Sequence, residues 1–192
     1  MRKLIVKMSI SFDGFVAGPG GSADWIFKTG DEKSKAWALA QTDQAGLIIM
    51  GRKSFEAMAP YWVTSTDVFA PAMNSIPKAV FTQRGYKGFD AGGSASAAHA
   101  SWAQARVIDG DLASEISLLK AEEGKPIVAI GGAGFVRSLI ATGLVDEFCL
   151  AVHPVVLGGG MAIFNGVAAP VYLKLRDVVA FPGGTVGHTY GV

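Results

Sequence analysis

Two short runs, Leu47-Ile48-Ile49-Met50 and Ile127-Val128-Ala129-Ile130, constrain this chain more than anything else in it. Each is continuously apolar, without the polar alternation of a strand that has one face in water. Such a strand is buried on both faces, as in a parallel sheet covered by helices. Each run also passes at once into glycine and then into helical sequence. Gly51-Arg52-Lys53-Ser54-Phe55-Glu56-Ala57-Met58 follows the first and Gly131-Gly132-Ala133-Gly134 the second. Parallel neighbours need a crossover, usually helical, so the pattern predicts an α/β fold.

The rest of the chain extends that pattern. Residues 4–10 are apolar and β-branched and read as a first strand, turned by Asp13-Gly14. Residues 31–42 have helical composition, with Ala36, Trp37 and Ala40 on one face. The helix after Gly51 is expected to stop at Pro60. Residues 78–82 predict a strand. Asp111 predicts a helix cap before Leu112, Ile116 and Leu119, with Gly124 and Pro126 ending that helix. The helix after Gly134 turns Val136, Leu139 and Ile140 inward and closes at Gly143. Residues 145–152 read as a strand, and 171–181 with 185–190 as an antiparallel hairpin around Gly183-Gly184. Residues 91–105, rich in Ala and Ser and carrying His99 and Trp102, read as a loop. The expectation is one domain over residues 1–192. It has three layers: a mostly parallel central sheet with an antiparallel C-terminal hairpin, and helices on both faces.

Composition removes several classes of function. Hydrophobic residues make up 50% of the 192 and charged ones 17%, the reverse of a disordered chain. A net charge of +1 carries no clustered basic excess for nucleic acid. One cysteine, Cys149, and three scattered histidines, His99, His153 and His188, give no metal-ligand spacing. Lys7 and Asp13 interrupt the N-terminal apolar run, which argues against a signal peptide. The long uncharged stretch from Phe148 onward holds Pro154, Gly158-Gly159-Gly160 and Pro170, so it is no membrane helix. A cytoplasmic protein with no membrane partner is expected. Glycine is the excess: 25 residues, about twice the usual share of roughly 7%.

The strand–glycine–helix junctions give that excess a use. A helix start leaves backbone N–H groups unpaired at the positive end of the dipole, ready for phosphate. At Gly51 the next residues are Arg52, Lys53 and Ser54. Cations oppose the dipole there, which asks for an anion between them, and they suit a phosphate monoester. At Gly131-Gly132-Ala133-Gly134 no side chain is long enough to block a diphosphate. Neither junction is a Walker loop or the Gly-x-Gly-x-x-Gly fingerprint. Together they match the charge map of NADPH.

Three segments resemble the cofactor segments of the dihydrofolate reductase fold: Ser9-Ile10-Ser11-Phe12-Asp13-Gly14-Phe15-Val16-Ala17, Met50-Gly51-Arg52-Lys53-Ser54-Phe55-Glu56 and Ile130-Gly131-Gly132-Ala133-Gly134-Phe135. Three more are similar to the C-terminal reductase domain of the bifunctional riboflavin-biosynthesis deaminase-reductase: Ser22-Ala23-Asp24-Trp25-Ile26, Gly143-Leu144-Val145-Asp146-Glu147 and Pro154-Val155-Val156-Leu157-Gly158-Gly159-Gly160. The resemblance implies a stand-alone NADPH-dependent reductase of a pyrimidine- or pteridine-like heterocycle. It implies Gly51, Arg52, Lys53 and Ser54 at the adenosine 2′-phosphate, with Thr82 and Arg84 near the adenosine. Gly131, Gly132, Ala133, Gly134 and Phe135 would face the diphosphate, and Val16 and Ala17 the nicotinamide carboxamide. Ser9, Trp25, Phe55 and Trp62 would contact substrate. It also implies a cis peptide at Gly131-Gly132 and a homodimer.

The departures define the alternatives. The acid that dihydrofolate reductases carry in the first helix is replaced by the region of Lys33, Ser34 and Lys35. The Asp-Asp-Pro of riboflavin reductases is matched by Met58-Ala59-Pro60. A true dihydrofolate reductase and a non-catalytic NADPH-binding protein are therefore the rival readings. Asp24 beside Trp25 is the candidate general acid, if a cleft keeps it protonated, and a turn or helix-cap aspartate otherwise. His153 reads as a strand-end residue, Tyr61 as pocket wall or packing, and Cys149 as inert core.

Overall fold

The computed structural model describes residues 1–86, 88–89 and 97–192. The strands are β1 (Leu4–Ser11), β2 (Phe15–Ala17), β3 (Leu47–Gly51), β4 (Lys78–Phe81), β5 (Arg106–Ile108), β6 (Ile127–Gly131), β7 (Glu147–His153), β8 (Met161–Ala162), β9 (Lys174–Ala180) and β10 (Val186–Gly191). The helices are α1 (Trp25–Thr29), α2 (Glu32–Asp43), α3 (Arg52–Thr64), α4 (Ala70–Ser75), α5 (Ala97–Ala103), α6 (Leu112–Ala121) and α7 (Ala133–Ala141).

The main sheet runs β5-β4-β3-β6-β1-β7-β10-β9. The first six strands are parallel, and β10 and β9 close the far edge antiparallel. A separate ribbon pairs β2 with β8. The apolar runs β3 and β6 lie side by side in the interior, as strands without alternation must. One face packs Ile5, Ile48, Met50, Val80 and Val128 against Phe55 and Ala59 of α3, Met73 of α4, Trp102 of α5 and Trp37 of α2. The other packs Leu4, Val6, Ile49 and Ala129 against Ile116 and Leu119 of α6, Val136 and Leu139 of α7, and Val16 of the ribbon. Each fully buried Leu, Ile or Val contributes about 1.5–3 kcal/mol over exposure. The expected layered α/β architecture, with its C-terminal hairpin, is present.

Two local expectations give way. α3 does not stop at Pro60 but runs through it to Thr64. Pro60 is exposed, so the Glu56 carbonyl deprived of its partner faces water rather than the core. Within residues 91–105, Ala97–Ala103 is helical, and β5 begins at Arg106. Trp102 is fully buried against Phe55, and its indole N–H donates to Asn74 Oδ1 at 2.8 Å. Alanine-rich sequence costs little to hold in a helix, and the tryptophan anchors it. Residues 91–96 of that stretch lie outside the described residues.

Candidate cofactor and substrate site

Connections from β3 and β6 leave the sheet on opposite faces. α3 packs with Phe55 on one and α7 with Val136 on the other. Adjacent parallel strands whose helices diverge make a crevice at their carboxyl ends, where open α/β sheets bind ligands. Both glycine junctions sit there. A Cβ on Gly51 would come within 2.8 Å of Phe135 Cβ, and one on Gly131 within 3.2 Å of Ser54 Cβ. One on Gly132 would reach 3.6 Å from the Gly51 Cα. The two turns thus pack directly on each other, and only glycine allows that approach.

The peptide between Gly131 and Gly132 is trans, which corrects the cis bond that the resemblance implies. The turn is made instead by Gly132 itself, at φ +82° and ψ 91°. A diphosphate site cannot be argued from a cis bond here; it rests on the helix starts. Among the described helices of nine residues or more, α2 and α6 are capped by Asp31 and Asp111, which accept from the Ser34 and Ser114 N–H groups. α3 and α7 begin with Gly51 and Gly132 and have no side-chain cap. Their first-turn N–H groups are left for an anion, and nothing lies within 4 Å of a Cβ built on Gly134. The cradle fits a dinucleotide phosphate bridge.

Around it, Lys53 and Arg84 are exposed, and Arg52 Nε lies 3.8 Å from Glu56 Oε1. Arg52 is therefore held loosely on its own helix, within reach of the crevice. The Thr82 hydroxyl is engaged in its own turn, donating to Gly85 O at 3.2 Å and accepting from the Arg84 N–H. Phe135 lies against Phe81, with ring centroids 5.0 Å apart. Ala133 and Phe135 pack on the same side of the sheet as Val16 of the ribbon. Ala17 is held by β8, and a Cβ on Gly160 would collide with the Ala17 carbonyl. Asp13 fixes this corner: its carboxylate accepts from Leu157 N at 3.1 Å, Gly158 N at 2.7 Å and Ser11 Oγ at 2.6 Å. Those bonds, the Ser11 hydroxyl first, hold the carboxyl below its usual range.

The candidate substrate cleft is the strip of β1 next to the crevice, between two groups of helices. α2 covers the β7–β10 side and α3 to α5 the β3–β4 side. Although β1 is central, Lys7 and Ser9 on this face remain half-buried. Lys7 Nζ sits 5.7 Å from the Phe69 ring centroid, and Phe69 in turn packs on Trp62. Burial pulls the Lys7 ammonium below its ordinary range, with the neighbouring Cys149 opposing. Cys149, opposite Lys7 in the strand register, is buried, and burial pushes its thiol up to about 11. It is inert as a nucleophile. Trp25 is buried and closes the carboxyl end of the cleft over His153, with ring centroids 5.2 Å apart. His153 is buried too, bonded through Nδ1 to Thr29 Oγ1 at 2.8 Å, and burial lowers its pKa.

Two expected site residues belong elsewhere. Phe55 is fully buried between Trp102 and Tyr86, so it backs the wall from inside the core instead of touching substrate. Asp24 is exposed at the start of α1 and its side chain caps nothing. Tyr61 is half exposed and stacks edge-on to Trp62. Lys7 was visible in sequence only as an interruption of a strand. A lysine at an inward position of a central strand is itself the signal, because an unpaired cation is not buried there without cause.

Fold and crevice define an open α/β protein with a crevice at the switch point between β3 and β6. The chain belongs to the RibD C-terminal domain family, whose model matches residues 2–186. That family is one of reductase domains, which supports reading this chain as an oxidoreductase. It is 31% identical to the uncharacterized protein YyaP of Bacillus subtilis, over 98% of this chain and 94% of that one. In structure it resembles a putative riboflavin biosynthesis protein from Shewanella sp. PV-4, with TM-score 0.75, 19% identity and 98% of each chain covered. It also resembles Acinetobacter baumannii RibD, with TM-score 0.71 and 19% identity, covering all of this chain and 58% of that one. No described helix is long and apolar enough to cross a membrane, and no described group of His, Cys, Asp and Glu could hold a metal ion.

Proposed function

We propose that the protein is an NADPH-dependent reductase of a small pyrimidine- or pteridine-like heterocycle. It would resemble the 5-amino-6-(5-phosphoribosylamino)uracil reductase named for a solved structural relative from Thermotoga maritima. The observation that carries this reading is the pairing of two uncapped, glycine-started helices at the switch point, directly beside the cleft over β1. Gly51, Ser54, Gly132, Ala133 and Gly134 would hold the phosphates by backbone and hydroxyl donors. Arg52, Lys53 and Arg84 would supply the charge that distinguishes a 2′-phosphate. Val16 and Ala17 would seat the nicotinamide, which when bound supplies a hydride. Lys7, Ser9, Trp25 and Trp62 would position the substrate and keep water out.

Exposed apolar residues Val171, Tyr172, Leu173, Leu175 and Val178 on and before the edge strand β9 support a homodimer. The activity test is NADPH oxidation with 5-amino-6-ribosylaminouracil derivatives, dihydropteridines and simple heterocyclic imines. Turnover of the aminouracil class is expected. Turnover of dihydrofolate alone would favour the dihydrofolate reductase reading. Tight NADPH binding without any turnover would favour a non-catalytic binding protein.

A further inference from the structure

Three buried side-chain polar atoms of the described residues have no hydrogen-bond partner: Trp25 Nε1, Trp62 Nε1 and His153 Nε2. Trp25 and His153 pack on each other at the carboxyl ends of β1 and β7, and Trp62 packs on Phe69, which lies against Lys7 of β1. Leaving such groups unpaired is costly, and two of them on side chains in contact ask for a ligand that pairs them. Trp25 and His153 touch each other, with ring planes at 81°. They are 7% and 4% exposed.

The tautomer of His153 follows from its neighbour. The Thr29 hydroxyl has one proton and lies 2.7 Å from the Trp25 carbonyl, which can only accept. Thr29 Oγ1 must then accept from His153 Nδ1–H at 2.8 Å. The neutral imidazole therefore carries its proton on Nδ1 and leaves Nε2 a bare acceptor. Burial favours that neutral form. The two side chains in contact thus leave unpaired a buried donor, the Trp25 indole N–H, and a buried acceptor, His153 Nε2. A neighbouring carbonyl and ring N–H on a neutral heterocycle complement that pair. A carboxylate does not, because it has no proton to offer Nε2.

We infer that His153 is a specificity-determining residue which accepts a hydrogen bond from a ring N–H of the substrate while Trp25 donates to the adjacent carbonyl, with Thr29 as the positioning residue that fixes the tautomer. This rests on the cleft being the substrate site of the reductase proposed above. It adds a residue whose role depends on which nitrogen carries the proton.

Long-range 1H–15N correlation spectra of the protein with NADP+, titrated with 5-aminouracil and its N1-methyl and N3-methyl derivatives, test it. Before titration, Nε2 of His153 should report an unprotonated nitrogen. 5-Aminouracil should move both that resonance and the Trp25 indole N–H, which Trp25→Phe identifies. His153→Leu should weaken the probe about tenfold, the value of one lost buried hydrogen bond. Thr29→Val should shift the proton toward Nε2 and weaken the probe several-fold without touching it. One N-methyl derivative should bind the wild type as weakly as 5-aminouracil binds His153→Leu. A proton on Nε2 in the wild type, resonances that stay put at saturating probe, or equal affinity for wild type and His153→Leu would overturn the inference. NADPH affinity of His153→Leu and Thr29→Val is measured separately. Its absence in the wild type would sink the reductase reading instead.

Discussion

Lys78 gives the structure's most quantitative prediction. It opens β4, is 2% exposed, and has no ion pair among the described residues. Its Nζ donates to Ile76 O at 2.6 Å and Ser101 Oγ at 2.5 Å and lies 4.5 Å from the Trp102 ring centroid. Burial lowers its pKa to about 7 from 10.5. A lysine with a depressed folded pKa binds its proton more tightly when unfolded. Stability must therefore rise with pH between the two values, by at most about 1.4 kcal/mol per unit. From pH 7.5 to 9 the linkage integral gives about 2 kcal/mol, or roughly 1 M in urea midpoint for a chain of this size. Lys7 adds the same sign, and Cys149, raised to about 11, subtracts only as pH approaches and passes 9. Lys78→Met keeps the stem and removes the proton. Urea unfolding at both pH values should show the wild type gaining about 2 kcal/mol more than the variant. Parallel changes in the two proteins would refute the idea that burial depresses the Lys78 amine.

Three other outcomes are expected. Gly132→Val places a β-branched residue at φ +82° with Cβ 3.4 Å from Ser54 Oγ, and calorimetry should show NADPH affinity falling at least about tenfold. Asp13→Ala frees the 155–160 loop, so the Leu157 and Gly158 amides should exchange several-fold faster; unchanged exchange would remove Asp13 as the tie. Light scattering at micromolar concentration should give a dimer mass, and Tyr172→Asp with Leu175→Asp should convert it to monomer.

Much of this fold was legible because its signals were local. The runs that became β3 and β6, the Asp111 cap and the Gly143 stop are each decided by a few neighbouring residues. What escaped depended on the far side of the molecule. Pro60 looked like a stop because sequence does not show that its side of α3 faces water. The Trp102 helix looked like a loop because its partners, Phe55 and Asn74, are distant in the chain. β5 and β8 are too short to leave a pattern. At the site, the glycine junctions were readable and the cleft was not. Lys7, His153 and Thr29 acquire meaning only when β1, β7 and α1 converge.

The central claim is that the crevice between β3 and β6 takes a nicotinamide dinucleotide by its 2′-phosphate. Thermal unfolding with NADPH and with NADH at equal concentration tests it most directly. NADPH at 100 times its dissociation constant should add about 2.7 kcal/mol of stability, and NADH far less. Replacing Arg52 and Lys53 together with Gln should bring the NADPH shift down to that of NADH. Equal shifts with the two cofactors in the wild type, or an NADPH shift untouched by the double replacement, would contradict the account.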